Sequence, residues 1–101
     1  LRYIDQLIVE FKKIPKDNKK LLAEKLAEIL DNVNYLHTFR EGNGRTQREF
    51  LRLLALEKGL TLNLNPPDNK SVYEQYMKGT IESDVKTLTE LIFELIDTND
   101  K

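Results

Sequence analysis

Apolar residues in this chain recur at helical spacing almost from end to end, which leaves little room for a sheet. Leu1, Ile4, Leu7, Ile8 and Phe11 fall on one helical face and predict a helix that stops before Pro15. Asp17 and Asn18 are candidate N-caps for a second helix, whose stripe is Leu22, Leu26, Ile29, Leu30 and Val33. The segment from Leu36 to Gly44 reads as a loop, because two glycines around an asparagine do not continue a helix. From Arg45 the helical pattern returns with Phe50, Leu53, Leu54 and Leu56, and Gly59 is its natural stop. Asn63 to Asn69, containing Pro66-Pro67, is a second loop. Val72, Tyr73, Tyr76 and Met77 predict a short helix ending at Gly79. Ser83 is a candidate cap for a last helix carrying Val85, Leu88, Leu91, Ile92 and Leu95. No strand pattern or internal repeat is evident. The expected fold is all-α, with about five helices, these apolar stripes as its core and all four tyrosines packed.

At 101 residues the chain is the size of one domain or a large piece of one. It begins at Leu1 rather than Met, so the numbering is expected to start inside a longer protein. There are no cysteines, which removes disulfides, thiolate metal sites and cysteine nucleophiles from consideration. The longest apolar runs, such as Leu53 to Leu56, are too short to span a bilayer. Arg2, Asp5 and Glu10 interrupt the first apolar stretch, so it does not read as a signal peptide, and a cytoplasmic location is the expectation. The formal net charge is −1, with an acidic second half of six Lys/Arg against nine Asp/Glu. No general nucleic-acid surface is therefore expected. The one tight basic group is Arg40, Arg45, Arg48 and Arg52.

That group lies in or beside the segment from His37 to Arg48, His-Thr-Phe-Arg-Glu-Gly-Asn-Gly-Arg-Thr-Gln-Arg, which also holds the only histidine. A helix start presents unpaired N–H groups and the positive end of the helix dipole, and so favours an anion. Gly42 and Gly44 let the backbone approach that anion closely, and successive amides can form a nest. Asn43 tolerates a left-handed conformation and adds an amide donor. Arg45 and Arg48, three apart, can share one face, and guanidinium forks match phosphate oxygens. The Lys-Ser/Thr ending of a P-loop is missing. Glu41 beside a phosphate site would repel it without a cation, and magnesium is commonly held by one or two carboxylates together with substrate phosphates. His37 suits a general base near neutral pH. Together these residue types suit phosphoryl or nucleotidyl transfer. Taken singly, each also has an ordinary structural explanation as a turn glycine, a surface charge or a satisfied histidine.

The joint order resembles the signature of the Fic family, His-x-Phe-x-(Asp/Glu)-Gly-Asn-Gly-Arg-x-x-Arg, with every specified position met. Thr38 stands where a proline is common. The likeness extends to Arg48-Glu49-Phe50-Leu51 and the Gly59 stop, covering about residues 1–62. It implies an all-helical bundle with the active-site loop between two central helices, and AMP transfer from Mg-ATP to a Ser, Thr or Tyr hydroxyl of a target protein. Carried onto this chain, His37 would deprotonate the hydroxyl and Glu41 would hold Mg2+. Gly42, Asn43 and Gly44 would supply the anion hole. Arg45 would neutralise the β-phosphate side, and Arg48 would meet the γ-phosphate or an inhibitory glutamate. Phe39 would anchor the loop.

Residues 1–101 are accordingly read as one Fic domain, incomplete at its N-terminus, since nothing in residues 1–36 resembles the target-aligning hairpin of the family. The intact Gly44-Arg45 pair favours AMP transfer over the reversed nucleotide of kinase relatives, although phosphocholine transferases in the family leave the donor open. No Ser or Thr lies four residues before any Glu, so the family's self-inhibition motif is not found in this sequence. It would lie in a preceding segment or in a separate antitoxin-like partner, or the enzyme is unrestrained. Two other transferase readings and a non-catalytic nucleotide-binding module remain as alternatives. A helix-turn-helix over Gly42–Leu56 is disfavoured by Glu41, the acidic second half and the apolar density after Phe50.

Overall fold

The structure is a computed structural model that describes residues 3–36 and 43–98, with the backbone alone for Asn43, Asp97 and Thr98. Among these residues there are five α-helices: α1 (Ile4–Lys13), α2 (Lys19–Leu36), α3 (Asn43–Glu57), α4 (Lys70–Ile81) and α5 (Val85–Leu95). The architecture is all-α, as expected. One small departure is a two-residue antiparallel ribbon, β1 (Leu60–Thr61) paired with β2 (Asp97–Thr98). A strand of two residues is too short to show a period of two, so the sequence pattern does not reveal it.

The central element is α2, on which α1, α3, α4 and α5 all pack. Its buried stripe is Leu22, Ala23, Leu26, Ala27, Ile29, Leu30 and Val33, joined by the polar Asn32. Alanines at 23 and 27 let neighbouring helices come close. From α1, Leu7 and Phe11 complete this core, and from α5, Leu88, Leu91 and Ile92 do so on another side. Burying a Leu, Ile or Phe side chain contributes about 1.5–3 kcal/mol, so these contacts dominate the stability of the fold.

Polar contacts tie the helices together. Lys25 Nζ donates to Glu10 Oε1 at 2.8 Å, joining α2 to α1, and to Glu28 Oε1 at 3.1 Å. Burial works against the Lys25 charge, but the hydrogen bonds to Glu10 and Glu28 outweigh it and raise its pKa. Lys58, just past α3, donates to the carbonyls of Lys12 and Ile14, both at 2.6 Å. It thereby satisfies carbonyls left free where α1 ends ahead of Pro15.

Helix boundaries follow local chemistry. Asn18 Oδ1 accepts the Leu21 amide at 3.2 Å, so Asn18 rather than Asp17 caps α2. Gly59, at φ +74°, takes the left-handed conformation that ends α3. α4 does not stop at Gly79 but runs through it to Ile81. Gly79 is there for contact: a Cβ would sit 2.6 Å from Leu88 Cδ2 and 2.8 Å from Leu88 Cγ. The cap of α5 is Asp84, not Ser83, which instead makes the turn at φ +52°. Not every apolar or aromatic residue is core. Tyr3 and Tyr35 are 84% and 70% exposed, and Leu36, Leu53 and Leu56 also face outward.

Candidate active site

α2 ends at Leu36 and α3 begins at Asn43, so the histidine-to-arginine segment joins two helices that pack on each other. Six of its residues, including His37, Phe39, Glu41 and Gly42, lie outside the described residues. The helix starts two residues earlier than the glycines suggest: Asn43 and Gly44 belong to the first turn of α3. Gly44 is buried on the same face as Gln47, Leu51, Leu54 and Ala55, a stripe at helical spacing. The same spacing leaves Arg45 exposed and Arg48 half-buried.

The start of α3 is cationic, as are those of α2, α4 and α5, whose first turns hold Lys19 and Lys20, Lys70 and Lys86 and likewise no acidic residue. It has no acidic residue in its first turn, yet Arg45 lies there and Arg48 one turn on. Cations are disfavoured at the positive end of a helix, by about 0.3–1 kcal/mol each at an exposed position. Neither arginine has an ion-pair partner among the described residues. The next arginine is already engaged: Arg52 pairs with Glu49 at 2.6 Å. Two guanidinium groups at the positive end of a helix dipole suit an oxyanion.

Behind this turn lies a polar cluster that the sequence reading missed. Tyr76 of α4 is fully buried, and its hydroxyl lies 3.2 Å from Gln47 Oε1 and 3.4 Å from the Gly44 carbonyl oxygen. Burial pushes the Tyr76 hydroxyl pKa up, and the Arg48 charge and hydrogen bond oppose that rise. Gln47 Nε2 makes a long contact of 3.5 Å to Asn34 Oδ1 on α2, and Asn34 Nδ2 donates to the Thr80 carbonyl at 2.8 Å. The available signal was Gln47 itself: an amide in the core register of an otherwise apolar helical stripe needs buried partners.

Among the described residues no group of three or more His, Cys, Asp or Glu is placed to hold a metal. Magnesium does not require one, since one carboxylate, waters and substrate phosphates commonly complete its shell. The donor set offered by Glu41 and a bound polyphosphate is of that kind.

These features define an all-helical domain whose third helix opens on an arginine-rich turn suited to an oxyanion. The Fic/DOC family model matches residues 2–55, more than half of the sequence, and the chain belongs to that family. Similar proteins include a protein adenylyltransferase of Bartonella henselae, 37% identical over 65 residues, which are 64% of this chain and 12% of that protein. A probable protein adenylyltransferase of Sinorhizobium fredii is 40% identical over 47 residues, 46% of this chain and 24% of the relative. The protein adenylyltransferase VbhT of Bartonella schoenbuchensis is 49% identical over 37 residues, 37% of this chain and 8% of the relative. The matched stretch is thus under a quarter of each relative's length.

Proposed function

We propose that this chain carries the catalytic helices of a protein adenylyltransferase, which moves AMP from Mg-ATP to a Ser, Thr or Tyr hydroxyl of a target protein. The observation that carries the reading is the start of α3, where Arg45 and Arg48 stand at a positive helix end and form no ion pair among the described residues. Family membership and the naming of the similar proteins as adenylyltransferases support it.

In this reading His37 accepts the proton of the target hydroxyl as its oxygen attacks the α-phosphorus. The bond from that phosphorus to the oxygen bridging it to the β-phosphorus breaks, and pyrophosphate leaves. The amides of Gly42, Asn43 and Gly44 bind phosphate oxygens. Arg45 offsets the charge that develops on the pyrophosphate side, and Arg48 contacts the γ-phosphate. Glu41 would hold Mg2+, which supplies charge neutralisation between the phosphates. Residues 1–101 act as one Fic unit, working in the cytoplasm on a protein target. Among the described residues no helix is long and apolar enough to cross a membrane.

The test is label transfer from Mg-ATP in a cell lysate, with the label on the α-phosphate in one arm and the γ-phosphate in the other. The expected result is His37-dependent transfer of α-label alone. General-base catalysis contributes about 10²–10⁴-fold, so His37→Ala should reduce transfer by that order while ATP binding survives. Enzyme-dependent γ-label would make it a phosphotransferase. Equal transfer by wild type and His37→Ala would reject the role of His37.

A further inference from the structure

α4 lies beyond the segment matched by the family model, yet it touches the second motif arginine directly. The guanidinium carbon of Arg48 sits 5.1 Å from the centre of the Tyr73 ring and 5.5 Å from that of Tyr76. The two rings are 5.9 Å apart and tilted by 40°, so they form a notch rather than a parallel stack. Tyr76 also binds through its hydroxyl. Its single proton is within reach of Gln47 Oε1 or the Gly44 carbonyl, while the Arg48 guanidinium lies over its ring. One α4 side chain therefore links a motif glycine to a motif arginine.

We propose that Tyr73 and Tyr76 are positioning residues that seat the Arg48 guanidinium before any nucleotide arrives. This rests on the reading of Arg48 as a phosphate ligand. An arginine attracted to ring faces keeps in-plane N–H groups available for oxygen acceptors. Its long side chain is among the most costly in rotamer entropy to immobilise, so ordering it in advance lowers the entropy lost on binding. The buried Tyr76 sets the inner wall of the seat, and the half-buried Tyr73 closes the outer wall.

The experiment uses the full chain with ¹⁵N,¹³C-labelled arginine, in wild type, Tyr73→Leu, Tyr73→Phe and Tyr76→Phe, each checked for a native helical spectrum. Without nucleotide, the Arg48 side-chain protons should be ring-shifted in wild type and in both Phe variants, and should move towards free-arginine positions in Tyr73→Leu. Mg-ATP affinity should then fall roughly three- to tenfold in Tyr73→Leu, with a smaller loss for ADP and recovery in Tyr73→Phe. An unshifted Arg48 in wild type, or one unmoved by Tyr73→Leu, would overturn the seat. Equal losses for ATP and ADP would overturn its link to the γ-phosphate. A folded wild type that binds no nucleotide but shows the ring shift would refute Arg48 as a phosphate ligand and still support the seat.

Discussion

Helices α2, α4 and α5 begin alike, on a lysine behind a side-chain cap, and α3 begins on arginines. Asn18, Asn69 and Asp84 each turn a side-chain oxygen onto a backbone amide of the helix that follows. Those helix starts receive an acceptor from the chain itself. The first turn of α3 carries Arg45, with Arg48 one turn on, where the other three carry lysines. A guanidinium fork offers an oxyanion paired N–H donors that a lysine ammonium does not. A second contrast separates the tyrosines. Tyr3 and Tyr35 stand in solvent, whereas Tyr73 and Tyr76 close on Arg48.

Substitutions should divide along that line. Arg48→Ala should cost the largest share of ATP binding, about 10–100-fold, because hydrogen bonds to charged groups contribute about 1.5–3 kcal/mol. ADP should lose less, and calorimetric titration of both nucleotides checks this. Equal losses would remove Arg48 from the γ-phosphate. Gly79→Ala should act on the fold instead, since the new methyl group meets Leu88 at 2.6 Å. Overpacking of that kind costs about 1–3 kcal/mol, readable as a lower midpoint in urea. A neutral result would mean that α4 and α5 separate easily.

Asn69→Ala removes an ordinary cap and should lower stability by about 1 kcal/mol, or about 4–8 °C in melting temperature. Nucleotide affinity should not change, and a parallel loss of both would tie this cap to the site. The smallest effect is on pH dependence. Hydrogen bonds from the Thr87 hydroxyl and amide hold the Asp84 carboxyl below its ordinary pKa. Its cap therefore stabilises the fold above the ordinary carboxylate range, and that contribution fades as pH falls through the lowered native value. Asp84→Asn should flatten the acid limb of the stability curve, and an unchanged limb would assign that limb to other carboxylates.

Much of this architecture was legible in apolar spacing. The five helices, a cap at Asp17 or Asn18 and the Gly59 stop all follow from residue pattern and local turn chemistry. The start of α3 was misplaced because Gly44 reads as a helix breaker. Its burial beneath Tyr76 depends on packing from residues 32 positions away. Gly79 likewise reads as a stop until Leu88 is seen against it. The family follows from the order of residues between His37 and Arg48, but the aromatic notch does not. No local pattern distinguishes a tyrosine that holds an arginine from one that fills a core, as only the α3–α4 contact does so.

The central claim of the proposed function is that the arginines at the start of α3 serve an anion. Arg45→Glu tests it most directly, with Mg-ATP titration and thermal unfolding measured on the same sample. An acidic residue there suits the helix dipole, so the account predicts a melting temperature equal to or above wild type and nucleotide binding lost. Nucleotide binding at wild-type strength, or a melting temperature that falls together with the affinity, would contradict it.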